Sequence, residues 1–330
     1  MQAVVDPALL ADVLGRVARI AVLVAAGVFL ANVAVAMGAV ERVAGLSRYL
    51  TGPANLPDEV GTAILTTAAS TTAGYGMLAE FRESGRLDDH ATLVAVTTNT
   101  FFGFVQHVFT YYVPVLIPIL GLRTGLLYVG ARAAVALGIT LLGVVAGALL
   151  LSDPDSAGAA STDPADGGAT DPRARADGPA PTLRAAADEA WAETRSTLRR
   201  ILPRLAVVYA LVTLLVAGVD LRAATGAADP LASLLGLPGA AVPVVVVFAF
   251  DTTAGAATIA PLVGGPFTPR TAVATLLVGG VVSFAVSTFK RSIPFQYGVW
   301  GASFGSKVVL VNTVTKVLFI GLALGALLGT

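Results

Sequence analysis

Long uncharged runs alternate with short charged clusters along this chain. The uncharged runs cover residues 20–40, 60–79, 91–122, 133–152, 231–250 and 271–289. Each approaches or exceeds the roughly 18–20 residues that a helix needs to cross a bilayer. The pattern predicts an all-α polytopic membrane protein with roughly 8–10 membrane segments. The first run follows Arg16 and Arg19 and is 21 residues long. A secretory signal core has roughly 7–15 apolar residues, so this run reads as a retained first span.

Residues 152–181 break the pattern. Pro, Gly, Ser and Asp dominate there and large apolar side chains are missing. Such a segment buries too little surface to offset its ordering entropy and reads as a disordered linker. It divides the chain into a first unit at 1–151 and a second at 182–330. The second opens with "TLRAAADEAWAETRSTLRR" at 182–200, read as an amphipathic helix with Thr182 as its cap, leading in from the membrane surface.

The two units resemble each other. Leu56-Pro57 returns as Leu237-Pro238, and Thr71-Thr72-Ala73-Gly74 returns as Thr252-Thr253-Ala254-Gly255, both at a shift of 181. After one deletion the shift is 180, pairing Phe104 with Phe284, Pro114 with Pro294, Gly121 with Gly301 and Gly125 with Gly305. One register with one gap points to an internal duplication. Each half has a plain span, a small-residue segment around TTAG, a polar-studded segment of about 30 residues and a closing span. The third segment is too long for one straight crossing, and its prolines predict a broken helix or a re-entrant piece.

Arginine distribution bears on orientation. With four crossings per half, Arg16, Arg19, Arg82, Arg86, Arg270 and the linker fall on one side. Arg42, Arg48, Arg123, Arg222 and Lys307 fall on the other. That makes the amino terminus and linker cytoplasmic and the halves parallel. One crossing more or fewer per half makes them inverted, and the sequence leaves that parity open.

Composition supports the class. Only 13% of residues are charged against 55% hydrophobic, and mean hydropathy is +0.80. Soluble domains carry about 25% charged residues. The absence of cysteine excludes disulfides, thiolate metal sites and cysteine nucleophiles. Net charge is zero, which gives no basic footprint for nucleic acid. Two histidines cannot build a His-rich metal cage, and no P-loop, HExxH or GxSxG motif is present. Neither an enzyme nor a cofactor is expected.

Polar residues inside apolar runs are the candidate chemistry. Asp251, in "FAFDTTAGAA", is costly at membrane depth unless paired, solvated or protonated. Lys290 and Arg291, in "STFKRSIPFQYG", are its natural partners. The first half has Ser70, Thr110 and Tyr111 at the aligned positions. The pair is read either as a ligand or coupling-ion site or as a structural ion pair. Thr71, Thr72, Thr252 and Thr253 belong to segments rich in small residues. Those segments serve either close helix packing or an unwound turn whose backbone and hydroxyls face a ligand. Asn99 and Gln106 share a helical face, Gln296 follows Pro294, and Asn312 and Lys316 share a face of the last span. His107 reads as a packing residue. Arg132 and Lys316 read as cations reaching an interface along their stems.

The duplicated unit, from LP to TTAG and on through "TTNTFFGF" or "VSFAVSTFKRSIP", resembles the Gate, or nucleoside-recognition, membrane family. That family includes archaeal membrane proteins, relatives of spore-maturation proteins and the Gate halves of ferrous-iron permeases. The resemblance covers most of both halves and omits the linker. It implies two fused Gate-like repeats with interrupted helices, a transport role and a nucleoside-like solute. The iron permeases carry cysteines in these segments and this chain has none, which argues against iron.

The expectation is therefore a multi-pass cell-membrane permease for a small polar solute, nucleoside-like or an ion. Its partners are the bilayer and that solute, with no nucleic acid, and a homo-oligomer is compatible with the sequence. The alternative is a non-transporting membrane module in which Asp251 and Lys290 or Arg291 form a structural pair.

Overall fold

The computed structural model describes residues 7–39, 42, 48–152, 183–218, 229–288 and 292–329. The linker, Thr182, Lys290 and Arg291 lie outside the described residues. The described chain is helical, without a β-strand. Among the described residues five helical stretches are long and apolar enough to cross a membrane: Val13–Val35, Asp89–Leu120, Leu122–Leu150, Pro269–Ser287 and Ile293–Leu328.

Helix α1 (Pro7–Ala36) buries Val13, Ile20, Val24, Val28 and Ala31 and leaves Leu14, Val22, Leu23 and Leu30 exposed. Apolar side chains on both faces of a helix suit lipid on one side and protein on the other.

The chain then enters a helical hairpin, α2 (Asp58–Ala69) and α3 (Thr71–Glu83). Its arms have 12 and 13 residues. At 1.5 Å per residue they reach about 18–20 Å, short of the roughly 30 Å hydrocarbon core. Their shortness brings the number of long spans below the eight to ten that the apolar runs predict. The turn is Ser70 alone, extended at φ −147°, ψ 108°. Its hydroxyl accepts a bond from the Ala73 N–H at 3.4 Å. Gly74 lets the arms close: a Cβ there would stand 2.7 Å from the Ala63 carbonyl oxygen.

A long interrupted element follows: α4 (Asp89–Thr98), α5 (Thr100–His107), a π-helical stretch at Val108–Leu116, and α6 (Ile117–Leu120). Pro114 lies inside the π stretch and has no N–H to give to the preceding turn. Its backbone packs on Gly27 of α1, where a Cβ would stand 3.0 Å away. Gly121, at φ 78°, redirects the chain into α7 (Leu122–Leu150).

The second half opens with α8 (Leu183–Gly218), a single 36-residue helix that packs along α1. The amphipathic stretch leads, from Leu183, without a break into the apolar stretch after it, and Pro203 does not end the helix. A second hairpin comprises α9 (Ala241–Phe250) and α10 (Thr252–Ile259). Its turn is Asp251 alone, at φ −148°, ψ 109°. Gly255 fits against the Phe248 backbone, with a Cβ position 2.5 Å from Phe248 Cα. Next comes α11 (Pro269–Ser287), started by a reciprocal Thr268–Thr271 capping box. Last is α12 (Ile293–Leu328), interrupted at Gly301 with φ 74°, ψ 163°. The interruption at Gly121 has φ 78°, ψ 159°.

Two clusters correct the four-crossing assignment of charges. Asp89 accepts from Arg82 Nη2 at 2.7 Å and from Lys307 Nζ at 2.8 Å. Arg123 and Arg270 line one surface groove with Leu126 and Pro269. The sequence count had put Arg82 opposite Lys307, and Arg123 opposite Arg270. Each TTAG segment forms a closed helical hairpin with a one-residue turn.

Both hairpins depend on glycine at the crossing. Gly74→Ala and Gly255→Ala are each expected to destabilise the protein by about 1–3 kcal/mol through overpacking. Gly76→Ala, with open space at its Cβ position, should be neutral or stabilising by up to about 1 kcal/mol. Thermal melts of the purified variants in one detergent check the ranking.

Candidate functional site

The two hairpin tips reach two cavities that share a wall. The larger cavity, about 590 Å³, is lined by Asp251, Thr252 and Thr253 at the second tip and by Tyr111, Ser283 and Ser287. The smaller, about 310 Å³, is lined by Thr71 at the first tip and by Thr67, Asn99, Gln296 and Asn312. His107, Tyr112, Arg132, Phe284 and Lys316 border both. Arg132 comes from the middle of α7 and Lys316 from the middle of α12.

Each tip is held by hydrogen bonds from the long interrupted element. At the first, the Thr71 hydroxyl donates to Gln106 Oε1 at 2.8 Å. Gln106 Nε2 donates to the Ala69 carbonyl at 3.4 Å, meeting an acceptor left open at the end of α2. The Thr67 hydroxyl donates to the Ala63 carbonyl at 3.0 Å and accepts from Asn99 Nδ2 at 2.8 Å. Because that hydroxyl's proton is committed, Asn99 must present its NH₂ there, which fixes the amide orientation. Asn99 is 2% exposed, and its Oδ1 is buried without a hydrogen-bond partner.

At the second tip, Asp251 Oδ1 accepts from the Ala254 N–H at 2.8 Å and caps α10. A carboxylate suits that place, since a helix amino terminus carries partial positive charge. Tyr111 reaches across from the π stretch, with its hydroxyl 3.2 Å from both Thr252 Oγ1 and Thr253 Oγ1. The first half therefore holds the second half's tip.

The predicted residues divide clearly. Thr71, Asn99, Gln296 and Asn312 meet at the smaller cavity, and Asp251, Thr252 and Thr253 at the larger. Gln106 acts through Thr71 and is not a lining residue. Gln296 Oε1 accepts from Trp300 Nε1 at 2.7 Å, so part of its amide is spent on packing. Asn312 bonds the Tyr75 hydroxyl. Thr72 is exposed and lines neither cavity, a correction that follows from its place on the outer side of the first turn of α3. Lys290 and Arg291, the expected partners of Asp251, lie outside the described residues. Among the described residues no group of acids and histidines could hold a metal.

Arg132 and Lys316 need the opposite correction. They do not reach along their stems to an interface but project into the wall between the cavities. Arg132 is within hydrogen-bonding reach of Tyr112, and its Nε is buried without a partner. The Lys316 ammonium lies 4.3 Å from the centroid of the Phe284 ring. In the sequence Tyr75 and Tyr112 carry no signal, and Tyr111 enters only as the position aligned with Arg291. The signal available for the cations was their depth, since Arg132 and Lys316 each sit well inside a helix of about 28 or more residues that is long enough to span.

No known family model matches the chain, and no solved structure matches it. It is 25% identical over 324 residues to the uncharacterized protein MJ0871 of Methanocaldococcus jannaschii, covering 94% of this chain and 93% of that one. It is 21% identical over 317 residues to the uncharacterized protein MJ0880 of the same organism, covering 93% and 96%. Both likenesses run nearly end to end.

Tyr111→Phe is expected to cost about 0.5–1.5 kcal/mol of stability, the worth of a typical buried hydrogen bond. It should couple to Thr253→Val by more than about 0.5 kcal/mol in a double-mutant cycle. Additivity of the two would mean that the tyrosine does not hold the tip.

Proposed function

We propose that the protein is a multi-pass cell-membrane transporter, not an enzyme, that moves a small polar solute past the Arg132–Lys316 partition. The observation that carries the reading is the meeting of two hairpin tips, one in each cavity, on either side of that shared wall. Paired interrupted segments in corresponding places of two halves are the sequence and structural mark of many secondary transporters. Irregular backbone at membrane depth is tolerated where it is buried or lines a cavity, which fits Ser70 and Asp251.

In this reading the halves are duplicated Gate-like repeats with re-entrant hairpins. The support is a set of equal geometries at the shifts seen in the sequence. Ser70 and Asp251 share one backbone conformation and one capping role. Gly121 and Gly301 share another conformation. Gly74 against Thr67 and Gly255 against Phe248 are the same contact displaced by 181 residues.

The repeats are inverted, with three crossings each and a hairpin that enters and leaves on one face. The Arg82–Asp89–Lys307 cluster then marks one face, and Arg123 with Arg270 marks the other. An inverted pair can exchange the roles of its halves, which gives alternating access to one central site. A nucleoside remains among the solutes that the Gate resemblance suggests.

Two experiments test this. Since the chain has no cysteine, Ser84→Cys and Pro266→Cys can be labelled in intact vesicles with a membrane-impermeant maleimide. The two are expected to react from opposite faces, and reaction from one face sinks the inverted arrangement. For transport, purified protein in proteoliposomes should show saturable uptake from a panel of labelled nucleosides and small organic ions. Asp251→Ala, which removes the cap of the second tip, should lower the rate at least about tenfold, the equivalent of 1.4 kcal/mol. Intact, folded protein with no saturable flux of any panel member would reject transport.

A further inference from the structure

We infer that the solute bound at the partition is a small oxyanion, a carboxylate or phosphate group held between Arg132 and Lys316. The inference rests on the transport reading only in taking the cavities as solute sites. It narrows the solute from polar to negatively charged.

Two cations face one space. Among the described residues neither Arg132 nor Lys316 forms an ion pair; the ion pairs there are those of Asp89 with Arg82 and Lys307, which line neither cavity. Their neighbours offer little negative charge. Arg132 has the hydroxyl of Tyr112, and Lys316 has the face of Phe284. His107 also borders the space, and its Nδ1 is engaged with the Gly103 carbonyl at 2.9 Å. Both are half-buried, and two like charges partly withdrawn from water repel each other and lose hydration, a cost that an anion between them offsets.

Among the described residues, the carboxylate lining the larger cavity is Asp251, and its Oδ1 caps α10. The described lining of the smaller cavity holds no carboxylate and carries both cations. There the thirteen-residue helix α3 begins at Thr71, and its only side-chain cap is the neutral Ser70 hydroxyl. Its amino terminus adds partial positive charge to the same space. The planar fork of an arginine matches a carboxylate or phosphate, and Arg132 lines this cavity. At about 310 Å³ the cavity lies at the lower end of ligand sites, which run from about 300 to 1,000 Å³. A small anion fits that volume.

The test uses the full chain in detergent, its melting followed by tryptophan fluorescence. Sodium acetate, succinate and phosphate are added at matched ionic strength against sodium chloride, with uridine as the uncharged probe. At least one oxyanion should raise the melting temperature by several degrees with a saturating dependence. Arg132→Gln and Lys316→Met should each weaken its apparent affinity at least about tenfold, as expected when one charge-assisted contact is lost. Without any oxyanion, Lys316→Met should melt no lower than the parent, because a repulsion has been removed. Gly280→Val keeps every charge. It places a side chain beside Arg132, whose Nη1 lies 3.9 Å from the Gly280 Cβ position, and should also weaken the anion. That variant reads the site even if a neutral variant does not fold.

The inference is overturned if no oxyanion shifts the parent, or if the shift survives unchanged in the variants. It is also overturned if uridine stabilises and the oxyanions do not. That last result, with flux of uridine in proteoliposomes, would leave the transport reading standing.

Discussion

A helix that stops within an apolar surround leaves its terminal N–H and C=O groups without water to bond. Everything at the centre of this protein depends on how that problem is solved twice. In each hairpin one extended residue makes the whole turn. Its side chain, the hydroxyl of Ser70 or the carboxylate of Asp251, takes an N–H of the next arm. Its own N–H goes back to the preceding arm, Ser70 to Thr66 and Asp251 to Val247. Glycine four residues on lets the arms touch. The long interrupted element adds to this: Gln106 donates to the Ala69 carbonyl at one tip, and Tyr111 bonds the Thr252 and Thr253 hydroxyls at the other. The tips are thereby placed at the cavities and fixed there.

This changes the meaning of Asp251. A lone carboxylate in an apolar run invites pairing with a distant cation. Its structural duty is more local, since it caps the helix that starts beside it. Ser70 performs the same duty without charge. The two tips therefore differ electrostatically while sharing a shape. The first tip leaves its helix dipole with only a neutral cap, and the second answers it with a carboxylate.

Much of the fold was legible because it is local. The long spans follow from run length alone. The special nature of the TTAG segments showed in their composition and repetition, and the hairpin was among the readings they allowed. Gly121 and Gly301 stood out as matched positions and proved to be matched turns. The parity of crossings was not legible, because an apolar segment of 24 residues can traverse or fold back; the turn within it is a single residue, Ser70 or Asp251. The partition was hidden for another reason. Arg132 and Lys316 are 184 residues apart in sequence, and each alone looks like a snorkelling cation. Only the packing of α7 against α12, with Gly138 giving room to the Phe319 ring, brings them to one wall. Tyr111 did not stand out as a site residue because its partners, Thr252 and Thr253, belong to the other half.

The π stretch at Val108–Leu116 bears on how the chain tolerates gain or loss of residues. A π turn carries one more residue than an α turn. Here the additional residue allows neighbouring side chains, Tyr111 and Tyr112, both to turn toward the larger cavity. A one-residue deletion there can be taken up on the spot by return to α geometry, and its price is the reach of one tyrosine. The same deletion in α7 ahead of Arg132 has no such slack. It would rotate the guanidinium by about 100° around the helix, away from the partition. The segment with a proline in it is thus the more forgiving one, and the regular helix behind it is where register must be kept.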